Sequence, residues 1–201
     1  MFTPLDSILF PDNDCEVYEY SAGKYVYAIY KNGRSSLSKS GFRKLELIEV
    51  ERLTSIDVFI RDPFDRYVSG VQTYLKHLPN DYDRETVLKF IDEFLFLNRH
   101  YALQLYWIIN LSRFISEQAI VNIRHIDECY NITSLREFTS IRDYSLVERF
   151  QRNSRLQYHL LADNVLYKDL MGKNVTIHQI FDVLKSKYSD LYNEMTVNVL
   201  S

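Results

Sequence analysis

Two short stretches hold the residues best suited to chemistry. In the first, KNGRSSL, Lys31 and Arg34 lie on either side of Gly33, and the hydroxyls of Ser35 and Ser36 follow. Strand-like sequence leads in and helix-compatible sequence leads out. Such a junction makes an anion cradle. Glycine permits positive φ and close approach by a ligand, and the N–H groups of a helix's first turn point at a bound anion. Charged donors strengthen those hydrogen bonds. In the second stretch, RDPFDRYVSG, Arg61 stands at a strand end and Ser69 lies two turns into the following helix.

Ligands of open parallel sheets bind at the carboxyl ends of the strands. Both stretches therefore present cations and hydroxyls on one edge, and two anion sites there suit a nucleotide carrying phosphates at both ends. The first stretch is not the P-loop of NTPases, whose lysine follows a second glycine. Here Lys31 precedes Gly33.

The elements that must position these residues are legible from pattern. Cys15–Tyr20 alternates as a short edge strand. Lys24–Tyr30 is rich in β-branched and aromatic residues and predicts a buried strand. Ser35–Lys44 is compatible with a short helix. Leu45–Val50 alternates apolar and acidic residues, which predicts a half-exposed strand, and Ile56–Ile60 predicts another. Asp62 before Pro63 is N-cap and N1 chemistry, and Phe64, Val68, Val71, Leu75 and Leu78 follow at helical spacing. Helices are expected over Arg84–Leu97, Tyr101–Ser116, Ile132–Thr139, Tyr144–Leu161 and Thr176–Tyr188, with a strand over Gln118–Ile126. Strands interleaved with helices, then a helical second half, indicate an α/β fold with a small parallel sheet flanked by helices.

Composition fits a single domain over residues 1–201, with 46% hydrophobic and 25% charged residues. A net charge of −3 gives no bulk attraction for nucleic acid or membranes. A local basic pocket is still compatible with it. Cys15 and Cys129 make neither a disulfide framework nor a four-ligand zinc site and read as reduced, buried thiols. No basic start precedes an apolar run, and no apolar run approaches the ~18 residues of a membrane span. The expectation is a soluble cytoplasmic protein.

The two motifs together resemble those of sulfotransferases that use 3′-phosphoadenosine 5′-phosphosulfate (PAPS). Members of that family carry a strand–loop–helix with a lysine, a glycine and two hydroxyl residues, then Leu or Phe, to which KNGRSSL is similar. They also carry a strand ending in Arg, Asp or Asn, Pro, an aromatic, any residue and Arg, with a serine eight residues after the first arginine. Arg61, Asp62, Pro63, Phe64, Arg66 and Ser69 fit that pattern, and its DPF form resembles the carbohydrate branch most. NRHYALQ, Asn98 to Gln104, is similar to a His-aromatic-x-x-Gln stretch there. VNIRHIDE, Val121 to Glu128, resembles a late strand of the family.

The chain also departs from the pattern. Ten residues separate Val50 from Arg61, so the usual acceptor-binding insertion is almost absent. Arg34 stands where a small or polar residue is common.

The resemblance implies a P-loop-like sulfotransferase fold with PAPS as donor, 3′,5′-adenosine bisphosphate as product and no metal. It implies that Lys31 stabilises the bridging oxygen of the leaving phosphate. Amides of Asn32, Gly33, Arg34, Ser35 and Ser36, with the two serine hydroxyls, would hold the 5′-phosphate, and Arg61 and Ser69 the 3′-phosphate. It also implies a hydroxyl acceptor, of a carbohydrate or another compound, which would need a base. Glu49 and Glu51 are candidates by position at a strand end. His100 is a candidate by its near-neutral pKa, and it would share a helix face with Gln104, four residues on. His77 reads as a partner of a helix C-terminus, His125 as a core or edge residue, and His159 and His178 as helix-surface residues. Two alternatives stand beside transfer: a non-catalytic nucleotide-binding protein of the same fold, and an ATP-dependent phosphoryl-transfer enzyme.

Overall fold

A computed structural model describes residues 15–79, 81–96, 98–134 and 142–197. Three strands, β2 (Lys24–Tyr27), β4 (Ser55–Ile60) and β5 (Ile120–His125), run parallel, with Tyr27 paired to Val58 and Ile60 to His125. The expected parallel sheet is thus its centre only. β1 (Val17–Ser21) lies antiparallel to β2, β3 (Arg43–Lys44) antiparallel to β1, and β6 (Asn174–Thr176) antiparallel to β5. The result is a six-stranded mixed sheet in the order β3-β1-β2-β4-β5-β6. β1 is an inner strand, because the short β3 covers its outer side.

Among the described residues ten helices are present: α1 (Arg34–Lys39), α2 (Leu47–Val50), α3 (Pro63–Lys76), α4 (Arg84–Glu93), α5 (Gln104–Ser112), α6 (Ile126–Thr133), α7 (Tyr144–Gln151), α8 (Ser154–Asn164), α9 (Ile177–Lys187) and α10 (Ser189–Val197). A π-helical turn, Val165–Asp169, continues α8.

Period-2 alternation divides the strands between two cores. Val26, Ala28 and Phe59 pack with Leu37 of α1 and with Ile126 and Cys129 of α6. Val17, Tyr27, Ile29, Val58 and Ile60 face the larger core, with Val68 and Val71 of α3 and Trp107 of α5. Cys15 and Cys129 are buried thiols.

Several boundaries differ from the sequence reading. Leu45–Val50 is no strand, because α2 occupies it. The Glu49 carboxylate accepts the Glu46 N–H at 2.9 Å and starts a helical turn, with Leu45 and Val50 buried and Ile48 57% exposed. The helix expected from Tyr101 begins only at Gln104, where Asp163 takes its first amides. The expected Tyr144–Leu161 helix divides at Asn153, whose side chain caps α8 through the Leu156 N–H at 2.9 Å. The one expected over Ile132–Thr139 begins earlier, at Ile126, and residues 135–139 lie outside the described ones. Among the described residues no helix is long and apolar enough to cross a membrane.

Candidate anion site at the strand ends

The parallel strands all deliver their carboxyl ends to one edge. After β2 the chain runs through Tyr30 and Lys31 to Gly33. Lys31 has φ 65° and Gly33 φ 83°, both left-handed. For lysine this conformation is uncommon and is held by its surroundings. Gly33 is the N-cap of α1, which has no side-chain cap.

Packing gives a second reason for glycine at position 33. It supplies positive φ, and a Cβ there would lie 2.4 Å from Cys129 Sγ. Its missing side chain makes room for Cys129 of α6.

A cleft of about 270 Å³ opens beside this loop, lined by Tyr30, Lys31, Arg34, Ser35, Thr73, His77 and His100. Tyr30 is its platform. Its ring stacks on Trp107 at 5.1 Å and meets His100 edge-on at 5.2 Å. The guanidinium of Arg34 lies 4.2 Å from its centroid and that of Arg99 lies 5.5 Å away.

His100 sits in a turn that closes on α3. Gly70 makes the approach possible, since a Cβ there would lie 2.1 Å from the His100 carbonyl oxygen. Asn98 Oδ1 accepts the His100 N–H at 2.9 Å and lies 2.8 Å from its Nδ1. With Nδ1 protonated toward Asn98, Nε2 holds the lone pair. Burial, then repulsion from Lys31, His77, Arg99 and Arg34, pushes the His100 pKa down to about 4. The imidazole is neutral at physiological pH.

The remaining sequence candidates separate into groups. Lys31, Arg34, Ser35 and His100 share the cleft. Arg34 is also held by Glu16, at 2.7 Å to one carboxylate oxygen and 2.8 Å to the other. Asn32 is 1% exposed and serves the scaffold: its N–H donates to the Ile29 carbonyl at 3.1 Å, and its Nδ2 donates to the Phe59 carbonyl at 2.8 Å. Ser36 is buried and does not line the cleft. Arg61 is half-buried at the end of β4, close enough to Arg66 to lower its pKa. Ser69 is half-buried one turn before Thr73, and its carbonyl accepts the Thr73 hydroxyl at 3.0 Å.

Glu49 and Glu51 do not line the cleft. Glu49 pairs with Arg43 at 2.7 Å, and the Glu46 N–H and Arg43 hold its carboxyl below the ordinary range. Glu51 is exposed at the end of α2. The strand end that favoured them does not exist. Nor do His100 and Gln104 share a helix face, since His100 precedes α5 and Gln104 is fully buried.

Further side chains take places that the sequence reading did not give them. His77 ends α3 as expected, yet it also lines the cleft, with its ring 6.4 Å from that of His100. Thr73 and His77 lie four residues apart on α3, a spacing that could have signalled a shared face. Arg66 is fully buried, with Nε donating to the Tyr30 carbonyl at 3.1 Å and Nη1 to that of Ala102. Burial lowers its pKa to about 10, so it stays charged. Nothing local in the sequence marks that reach. His159 is buried, with Nε2 3.0 Å from Glu194, and is not the surface residue expected.

Among the described residues no group of three or more His, Cys, Asp or Glu is placed to hold a metal ion. In comparisons with known proteins, no family model, no curated protein and no solved structure matches the chain.

Proposed function

We propose that this chain is a sulfotransferase that moves a sulfuryl group from PAPS to the hydroxyl of a carbohydrate or similar acceptor. One observation carries the reading: Lys31 and a neutral histidine, His100, face one small cationic cleft at the carboxyl edge of the parallel strands. At about 270 Å³ the cleft lies just below the range typical of drug-sized ligands, and it suits the phosphosulfate end of the donor. Arg61 and Ser69, on the neighbouring junction, are the residues for the 3′-phosphate.

In the proposed reaction the acceptor oxygen attacks sulfur as the bond from sulfur to the bridging phosphate oxygen breaks. His100 Nε2 takes the acceptor's proton. Lys31 and the cleft's other cations stabilise the charge that develops on the bridging oxygen of the leaving 3′,5′-adenosine bisphosphate. Such a reaction depends chiefly on positioning and charge stabilisation. His100 is the candidate base, because Glu49 and Glu51 lie off the cleft.

Calorimetry tests the donor. The bisphosphate should bind more tightly than ADP without Mg²⁺, and Arg61→Ala should abolish that preference by removing hydrogen bonds of about 1.5–3 kcal/mol. Equal affinities for the two nucleotides in the wild type would refute the reading. Sulfate transfer from PAPS to a hydroxyl acceptor, lost in His100→Ala with donor affinity retained, then separates an enzyme from a nucleotide-binding protein.

A further inference from the structure

Gln104 is fully buried at the start of α5, far in sequence from both motifs, yet its carboxamide touches each. Its Oε1 accepts the Arg61 N–H at 3.0 Å, and its Nε2 donates to the Arg61 carbonyl at 3.0 Å. This is the pairing that a neighbouring strand would give, extended one residue past the end of β4. The same Oε1 accepts Nδ2 of Asn32 at 2.6 Å. Asn32 follows Lys31 directly, and its Nδ2 also reaches the Phe59 carbonyl. Gln104 is itself fixed from outside: the Asp163 carboxylate accepts its N–H at 2.7 Å and that of Leu105 at 2.8 Å. Burial raises the Asp163 pKa against the pull of Arg66.

We infer that Gln104 and Asn32 are positioning residues that set the spacing between the Lys31 loop and Arg61. One side-chain oxygen is shared by the main chain of Arg61 and the side chain beside Lys31, so neither cation shifts without disturbing the other. The consequence for ligands rests on the nucleotide reading above. A ligand with anions at both ends benefits from a fixed spacing, as any two-point ligand does. A single anion does not.

The test uses the full chain with Gln104→Met and Asn32→Ser. Serine is too short to reach Gln104 but leaves the Gln104–Arg61 pair intact. Amide hydrogen exchange on the ligand-free protein reads the coupling. In Gln104→Met the amides of both Arg61 and Asn32 should exchange faster, while those of β5 stay protected. In Asn32→Ser the amide at position 32 should exchange faster, while that of Arg61, still paired with Gln104, should stay protected. An unchanged Asn32 amide in Gln104→Met would overturn the coupling.

Binding reads the consequence, with 3′,5′-adenosine bisphosphate and inorganic sulfate as probes. Either variant should weaken the bisphosphate by roughly tenfold, the worth of one or two buried hydrogen bonds. Sulfate affinity should change by less than about twofold. Equal losses for both probes would indicate general damage and overturn the positioning role. A wild type that binds the bisphosphate no better than sulfate would remove the nucleotide reading instead, and exchange would still decide the coupling. Should Gln104→Met fail to fold, Asn32→Ser decides through its exchange pattern and the ratio of its two affinities.

Discussion

At the end of β4 the chain enters α3 through Asp62 and Pro63; at the end of β2 it enters α1 through Lys31 and Gly33, both left-handed. Past Arg61, whose main chain Gln104 holds, the first junction starts its helix with its own residues. Asp62 Oδ1 accepts the Asp65 N–H at 2.9 Å, and Pro63 opens a helix of fourteen residues. The second leads into a helix of six residues that no side chain caps. Its shape is held from elsewhere: Arg66 grips Tyr30, Gln104 and Phe59 hold Asn32, and Cys129 backs Gly33. A helix start that is capped locally needs little from the rest of the fold. One that holds a lysine in an unfavourable conformation needs contacts from four other elements, α3, α5, β4 and α6.

Breaking the proposed chemistry of the second junction should give the largest effect. Lys31→Ala should lower turnover on the order of 10²–10³, the cost of losing one charge stabiliser, with the unfolding midpoint nearly unchanged. Wild-type turnover in that variant would remove Lys31 from the mechanism.

Stability separates the two junctions next. Gly70→Ala should cost about 3 kcal/mol or more, as severe overpacking does, because the new methyl meets the His100 main chain at 2.1 Å. Gly33→Ala should cost somewhat less, about 1–3 kcal/mol, since it meets a side-chain sulfur at 2.4 Å. Adding Cys129→Ala should recover part of that loss, whereas no side-chain deletion rescues Gly70→Ala. Urea unfolding of the set checks both, and a Gly33→Ala loss untouched by Cys129→Ala would sink the packing account.

A smaller effect sharpens the contrast in capping. Asp62→Ala should cost about 1 kcal/mol, the usual worth of an N-cap. Ser35→Ala, in the uncapped α1, should change stability by less than about 0.5 kcal/mol. Comparable losses from the two would show that α1 depends on local capping after all.

The smallest effect concerns protons. His100 is held at about 4, below its unfolded value near ~6.5. Between those limits the unfolded chain binds the extra proton, so this histidine's contribution is fully present above about pH 6.5 and is lost as pH falls toward 4. His100→Asn should flatten that part of the stability curve. In wild type the rate should persist well below pH 6.5 before falling near the depressed pKa. Lys31→Met removes one repelling charge, so the His100 ring should titrate at higher pH by NMR. An unmoved titration would show that Lys31 does not act on the ring.

The sequence by itself determined the alternation of strands and helices, the start of α3 and the two cationic junctions, because each rests on short-range rules: period, capping and the φ of glycine and proline. It placed Lys31, Arg34, Ser35 and His100 among the candidates by residue type and motif. Tertiary structure decided the rest. Glu49 left the site because its carboxylate starts a helical turn where alternation alone predicts a strand. Gln104 left the cleft for the interior because Asp163, fifty-nine residues away, fixes where α5 begins. His77 entered the site because α3 ends against the His100 turn, an approach that only Gly70 permits. Each of these outcomes depends on a partner distant in the chain, and the spacing of residues within one segment holds no record of it.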